Sequence, residues 1–315
     1  MNGIRIVATG HAVPAKIMDN DELSTFVDTN DEWIRTRTGV RQRHVCQEES
    51  CMSLAIEASK NAVERAKELG DFDVNEIGTI LVATTTPDYA FPTVSCMIQN
   101  ALGLDDETMS FDVSAACAGF LYGLNICRGI LLNSRKKYAL VVGAEELSRI
   151  ADYSDRASCI LFGDGSGAAI IELADNLFVQ RCYSRGDIEP LNCVGVGKEG
   201  AKIFMAGNKV FRFAVTVLSE GVKTVLNDAG MTMDDVDYVI VHQANLRIIE
   251  HVQKQYPEHA HKFYVNIDRF GNTSAASIPI AMDEMMREGI LKPGMRVLSI
   301  GFGAGFVWSS LLFEV

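Results

Sequence analysis

The chain lacks a C-x-x-C pair, an apolar run long enough to cross a membrane and a surplus of basic residues, and each lack removes a class of protein. Its eight cysteines (46, 51, 96, 117, 127, 159, 182 and 193) are scattered, which suggests neither a zinc site nor a disulfide framework. The pair His259 and His261 has no cysteine or carboxylate at ligand spacing and reads as a solvated loop, so no metal is expected. No stretch approaches the roughly 18 apolar residues of a membrane span, and the first residues lack the apolar core of a signal peptide. A cytoplasmic protein with no membrane partner is the expectation. The net charge of −12, from 29 Lys and Arg against 41 Asp and Glu, speaks against nucleic acid as the principal partner. It leaves room for a local basic patch. The glycine-rich run Phe162-Gly163-Asp164-Gly165-Ser166-Gly167 has no G-x-x-x-x-G-K and leads into a strand-like segment, so it reads as a turn and not a phosphate cradle.

What the chain does have is ordinary soluble composition, 48% hydrophobic and 22% charged over 315 residues, enough for one large or two medium domains. Apolar runs at Ile4 to Ala8, Ile77 to Thr84 and Tyr138 to Gly143 read as strands, the last two of the continuous kind found in sheets covered on both faces. Met52 to Leu69, with Leu54, Ala55, Ala58, Ala62, Ala66 and Leu69 on one stripe, predicts an amphipathic helix. Asp19 to Val27 reads as a short helix and Thr29 to Gly39 as a loop carrying Trp33. Phe178 to Lys202 has no clear period, with Arg185 to Asp187 and Gly195 to Gly200 expected in loops. A long helix from an Asn208 cap to about Asp228, strands at Asp237 to Val241, Phe263 to Ile267 and Arg296 to Ile300, and a glycine loop from Gly301 to Gly305 complete the chain. Alternating strands and helices predict an α/β fold with helices on a largely parallel sheet. The order strand, loop, helix, strand, small-residue turn, buried helix, strand occurs twice, so equivalent turns should lie at equivalent strand ends.

In the first of those turns, Phe111 to Phe120, Cys117 stands at the start of a helix reaching about Leu132. A helix N-terminus favours negative charge and would ease ionisation of the thiol. Taken alone, a free cysteine is also ordinary core packing. His242 is delivered by the end of the strand Asp237 to Val241, and Asn272 sits in the turn matching that of Cys117. Separately a strand-end histidine and a turn asparagine are commonplace. Together at the C-terminal ends of strands they border the crevice where α/β folds bind ligands. A thiolate can take an acyl group from a thioester. Two N–H donors on one carbonyl oxygen would stabilise the enolate left when a malonyl group loses CO₂. Phe302 and Phe306 could wall such a site with apolar surface.

Ala115-Ala116-Cys117-Ala118-Gly119-Phe120, His242-Gln243-Ala244-Asn245-Leu246-Arg247, Gly271-Asn272-Thr273-Ser274-Ala275-Ala276-Ser277 and Gly301-Phe302-Gly303-Ala304-Gly305-Phe306 resemble the signatures of β-ketoacyl-[acyl-carrier-protein] synthase III. Asp31 to Ile34, Arg37 to Gly39 and Phe162 to Gly165 fit the same family. The resemblance implies a thiolase fold of two similar halves in five layers, α-β-α-β-α, with residues 1–174 carrying the nucleophile and 175–315 carrying His242 and Asn272. It implies a homodimer that condenses an acyl-CoA starter, acetyl first among them, with malonyl-[acyl-carrier-protein] to begin type II fatty-acid synthesis. In that reading Cys117 takes the acyl group, His242 and Asn272 activate the malonyl thioester, and the backbone N–H groups of Cys117 and Ala304 hold the oxyanion. Trp33, Arg37, Thr38, Arg156 and Asn245 would bind CoA, which is a substrate and not a resident cofactor. Phe91 would close the acyl pocket across the dimer, Phe302 would line the decarboxylation pocket, and Arg212, Arg247 and Lys254 would face the acidic carrier protein. Ala304 stands where the family often has a third glycine, so a positive φ there would strain the loop. The glycine loop lacks the second cysteine a thiolase would use. A chalcone-type or 3-hydroxy-3-methylglutaryl-CoA-type synthase, a synthase loading a secondary-metabolite pathway and a non-catalytic carrier-protein partner are the rival readings.

Overall fold

Every residue from Ile77 to Ala83 is buried, as a strand covered on both faces must be, and that strand lies inside the first of two large sheets. The computed structural model describes residues 3–194 and 200–315. The first sheet comprises Gly3–Ala12 (β1), Ile77–Ala83 (β2), Met109–Val113 (β3), Tyr138–Glu145 (β4) and Gly165–Ala174 (β5), in the order β1-β5-β4-β2-β3. The second comprises Phe178–Asp187 (β6), Tyr238–Val241 (β7), Arg296–Gly303 (β8) and Gly305–Glu314 (β9), in the order β7-β8-β9-β6. Strand directions match as well. β2 runs parallel to β4, β4 antiparallel to β5 and β5 antiparallel to β1. In the same way β7 runs parallel to β8, β8 antiparallel to β9 and β9 antiparallel to β6.

The main helices are Asp31–Thr38 (α1), Cys51–Leu69 (α2), Val94–Leu102 (α3), Gly119–Leu131 (α4), Gly207–Ala229 (α5), Leu246–Gln253 (α6) and Ser277–Arg287 (α7). Alternate strand residues point to opposite faces, and the alternation sorts the core into layers. Ile80, Val82, Leu140, Val142 and Ile170 pack on α2 and α3. Leu81, Val141 and Ile171 face the other way, onto α4 and α7, whose far sides meet Ile240, Val297, Leu311 and Phe313 of the second sheet. Val239, Val241, Leu298, Ile300 and Leu312 then pack on α5 and α6. The result is the expected five-layered arrangement of two similar halves.

Several local expectations are corrected. The supposed loop around Trp33 is helical, because the Asn30 side chain caps the Trp33 N–H, Asp31 and Glu32 occupy the first turn, and Gly39 at φ 82° ends the helix. The helix expected over Asp19 to Val27 is a single turn, Asn20–Leu23. β6 occupies the first ten residues of the stretch without a clear period and runs through Arg185 to Asp187, where a loop was expected; it is an edge strand with much of its surface exposed, so no apolar period marks it. The expected Gly195 to Gly200 loop lies, up to residue 199, outside the described residues. The cap position of helix α5 is Ala206, which offers no side-chain hydrogen bond, so Asn208 is not its cap. Phe263 makes only a single parallel bridge to Val239, and Ile267–Phe270 is a helical turn instead of strand. β8 continues through Gly303, which leaves little of the expected glycine loop. Leu69 and Leu132 are exposed, beyond the buried stretches of their helices.

Candidate active site

β3 ends in a turn whose Ala116 has φ 44°, followed by one 3-10 turn, Ala116–Ala118, and then α4; Cys117 stands in that turn, ahead of the α-helix itself. The end of β8 lies against it. A Cβ on Gly303 would sit 2.7 Å from the Cys117 nitrogen, so glycine there allows one backbone to touch the other. His242 follows β7, its N–H donating to the Ile300 carbonyl at 2.8 Å. Its Nδ1 lies 2.7 Å from the Ser277 hydroxyl, which also accepts the Gln243 N–H at 3.4 Å. With the Ser277 hydroxyl proton directed at Nδ1, Nε2 is the protonated, donating nitrogen. Asn272 is fixed through its backbone: its N–H donates to Leu161 at 2.7 Å and its carbonyl accepts from Gly163 at 3.0 Å. The run from Phe162 is thus a pairing segment that holds Asn272, in keeping with its reading as a turn and not a phosphate cradle. The Asn272 carboxamide oxygen accepts the Ser274 N–H at 2.9 Å, so its NH₂ is the end left to donate.

Cys117, His242 and Asn272 all line one cavity of about 1170 Å³, together with Ser274, Phe302, Gly303 and Ala304. Phe302 meets the His242 ring edge-on at 5.6 Å, and Phe213 is sandwiched behind it against Phe306 at 3.8 Å. In this apolar setting burial pushes the His242 imidazole down to about 3, so it is neutral near pH 7. Burial also pushes the Cys117 thiol up to about 12, outweighing a hydrogen bond from Ser274 that favours the thiolate. The expectation of an easily ionised thiol is therefore corrected: desolvation, with the Glu145 carboxylate nearby, raises the thiol. Ala304 is not among the residues with positive φ, whereas Gly305 is, at 134°. The strain anticipated at Ala304 is absent.

Toward solvent the cavity is lined by Trp33, Arg37, Thr38, Asn245 and Arg247. The guanidinium of Arg37 lies 4.6 Å from the Trp33 ring centre and that of Arg156 5.1 Å from it, while Arg156 also donates to the Asp28 carbonyl at 2.9 Å. Thr38 is buried and its hydroxyl donates to Ile34. Asn245 caps α6 with its oxygen, accepting from Arg247 at 2.9 Å, which leaves its NH₂ for the cavity. Arg212, Arg247 and Lys254 are exposed on or beside α5 and α6. Phe91 is 83% exposed and does not reach this chain's own cavity, although its neighbours Tyr89 and Ala90 line it. Among the described residues no three His, Cys, Asp or Glu side chains gather as a metal site, and no helix is long and apolar enough to cross a membrane.

The family of 3-oxoacyl-[acyl-carrier-protein] synthase III matches residues 111–183, and its C-terminal counterpart matches residues 226–315. Beta-ketoacyl-[acyl-carrier-protein] synthase III of Clostridium acetobutylicum is 40% identical across 100% of this chain and 99% of its own. The chain belongs to the β-ketoacyl-[acyl-carrier-protein] synthase III family. The Clostridium botulinum (Loch Maree) protein of the same name is 42% identical over 98% of this chain and 97% of its own. The crystal structure of 3-oxoacyl-[acyl-carrier-protein] synthase III from Aquifex aeolicus superposes with a TM-score of 0.93 at 38% identity, covering 99% of this chain and 100% of that one. The priming β-ketosynthase of the R1128 polyketide pathway gives 0.89 at 33%, covering 99% and 96%. The fold is the thiolase fold, and the chain is an acyltransferase of the condensing class that acts in fatty-acid synthesis, joining an acyl starter to a malonyl-[acyl-carrier-protein].

Reading the sequence missed the residues that hold these three side chains. Ser277 orients His242, Leu161 and Gly163 pin Asn272, and Ser274 touches Cys117. Asn208 and Phe211, at the start of α5, line the cavity. The Ser277 hydroxyl had a signal, a serine at the first turn of an apolar helix, but nothing in the sequence assigns it to a histidine 35 residues away.

Proposed function

We propose that this synthase uses acetyl-CoA or a similarly short acyl-CoA and forms an acyl-Cys117 intermediate, which it condenses with malonyl-[acyl-carrier-protein]. The observation that carries the reading is that a thiol, a neutral imidazole and a carboxamide NH₂, far apart in sequence, line one cavity. Attack by the Cys117 sulfur on the CoA thioester conserves a thioester bond, and the backbone N–H groups of Cys117 and Ala304 would hold the tetrahedral oxygen. In the second half-reaction Nε2–H of His242 and the NH₂ of Asn272 donate to the malonyl thioester oxygen. Decarboxylation then leaves an enolate at that oxygen, and its carbon attacks the acyl-Cys117 carbonyl. The ring of Phe302, which lines the cavity and is backed by Phe213 and Phe306, makes this end of it apolar, which strengthens those donations and favours loss of a charged carboxylate as CO₂.

Trp33, Arg37, Thr38, Arg156 and Asn245 are assigned to CoA. Trp33 with its two guanidinium neighbours would open to admit a purine, since a flat cation and a base compete for the same ring face. Arg212, Arg247 and Lys254 are assigned to the acidic carrier protein. Phe91 is assigned to the acyl pocket of a partner subunit in a homodimer, which accounts for its exposure in the single chain. Residues 1–174 then form the half bearing the nucleophile, residues 175–315 the half bearing His242 and Asn272, and the enzyme works in the cytoplasm without a metal. The test is peptide-level mass spectrometry after incubation with acetyl-CoA. An acetyl group on the peptide containing Cys117, lost in Cys117→Ser, is expected; an unmodified enzyme, or an adduct that survives the substitution, would contradict the reading.

A further inference from the structure

Glu145, the last residue of β4, is fully buried. The hydrogen bonds it accepts come from neutral donors: the Thr85 N–H at 3.1 Å, the Thr85 hydroxyl at 3.0 Å, the Thr86 hydroxyl at 2.6 Å and the Ser274 hydroxyl at 3.0 Å. The guanidinium of Arg149 turns instead to Glu146 and to the Thr86 and Pro87 carbonyls. Cys51 and Cys117 are the titratable groups that bear on it. Ser274 joins it to the active site: its hydroxyl donates to the Glu145 carboxylate at 3.0 Å, and Ser274 and Cys117 line the same cavity. That hydroxyl is not required by the backbone. Ser274 has φ 49°, and in the matching turn Ala116 holds φ 44° with no hydroxyl at all.

The resting thiol keeps its proton, and acyl transfer must remove it. His242 is a poor destination, since burial disfavours its cation and its Nδ1 is already engaged by Ser277. Burial raises the Glu145 carboxyl above its ordinary value, which makes it a readier acceptor. We propose that Glu145, through the Ser274 hydroxyl, stores the Cys117 proton for as long as an acyl group occupies the sulfur. The inference rests on the acyl-Cys117 reading above. As the sulfur–acyl bond forms, the thiol proton passes to Ser274 and the Ser274 proton to Glu145. The carbon–sulfur bond to CoA breaks with its electron pair on the CoA sulfur, which takes a proton from water on leaving. When the enolate carbon attacks, the Cys117 thiolate is expelled and recovers its proton from Glu145 by the same path. The proton drawn from water balances the carboxylate lost as CO₂. Glu145 touches no substrate and is a positioning and proton-holding residue.

The test is stopped-flow mixing with acetyl-CoA in weakly buffered solution containing a pH indicator, with acyl-enzyme counted by intact mass. The wild type should take up about one proton per acyl group formed, and Glu145→Gln and Ser274→Ala none, with acylation slower by about 10²-fold. Iodoacetamide alkylation of Cys117 should not slow in Glu145→Gln, because the substitution removes the anion that opposes the thiolate. A general loss of structure would slow both. Should Glu145→Gln fail to fold, Ser274→Ala decides, since it leaves Glu145 with its threonine donors. Acylation of the wild type without proton uptake, or unchanged uptake in Ser274→Ala, overturns the proposal; absence of any acyl-enzyme overturns the acyl-Cys117 reading instead.

Discussion

The turn that carries Cys117 and the turn that carries Asn272 share a backbone and differ in contents. One constant spacing along the chain takes Ala83 at the end of β2 to Val241 at the end of β7, Ala116 to Ser274, and Glu145 at the end of β4 to Gly303 at the end of β8. Both turns hold a non-glycine residue at positive φ, at a cost of about 1 kcal/mol or more each. Both are backed by a strand glycine: a Cβ on Gly143 would strike the Ala275 carbonyl, and one on Gly301 would crowd that of Cys117. On the same spacing, Cys117 answers to Ala275, Thr84 to His242 and Ser114 to Asn272. The position-for-position match thus sets Asn272 against Ser114, within turns that correspond as expected. Where Gly303 leaves room beside Cys117, Glu145 fills the matching place with a buried carboxylate. The two like turns open on one cavity, to which the first half brings the sulfur and the second the imidazole and the carboxamide.

The harshest way to break this comparison is to move the sulfur. Cys117→Ala with Ala275→Cys should show no acylation by acetyl-CoA, because Ala275 is 1% exposed and does not line the cavity; an acetyl group at position 275 by peptide mass spectrometry would show the two turns to be interchangeable. Next is the wall between β8 and the turn. Gly303→Ala places a methyl 2.7 Å from both the Ala116 Cβ and the Cys117 nitrogen, where backbone must move. A stability loss of about 1–3 kcal/mol by denaturant titration and slower acylation are expected, and an unperturbed variant would mean the contact is looser than described. A subtler probe uses the fact that Thr84 cannot titrate and His242 can. With its imidazole pushed down to about 3, condensation should show no acid limb near pH 6.5, where a solvated histidine takes its proton. The same shift makes the unfolded chain bind a proton that the folded site refuses, so His242 lowers stability progressively as pH falls from 6.5 toward 3. His242→Gln should therefore unfold less steeply with acid, as followed by circular dichroism. The smallest effect concerns the outer helices, since α3 carries no charge whereas α6 is followed by Lys254. Lys254→Glu should raise the KM for malonyl-carrier protein several-fold more than that for acetyl-CoA; equal changes would remove Lys254 from the carrier surface.

Much of this was legible in the sequence because burial leaves a period. β2 and β4 are apolar at nearly every position, and the inner stripe of α2 from Leu54 to Ala66 is buried as its spacing requires. Cys117, His242 and Asn272 were legible because strand ends and small-residue turns mark where a crevice opens. Elements without an apolar period were hidden. Half of helix α1 is charged, and its only signals are Asn30, its acidic first turn and Gly39. β6 is an exposed edge whose pairing with β9 is set by the rest of the sheet. The supporting contacts were hidden for a different reason. Ser277 to His242 and Ser274 to Glu145 join residues 35 and 129 positions apart, and no local pattern encodes such a meeting.

The division of labour between the halves is tested most directly by a single-turnover chase: acetylated enzyme, freed of acetyl-CoA, is mixed with malonyl-carrier protein and the acetyl group is followed by intact mass. We expect the wild type to discharge it into 3-oxoacyl product, and Asn272→Ala, acetylated as readily as the wild type, to retain it with a discharge slower by about 10²-fold or more. Discharge of the variant at the wild-type rate, or its failure to acetylate at all, would contradict a carboxamide that serves only the second half-reaction.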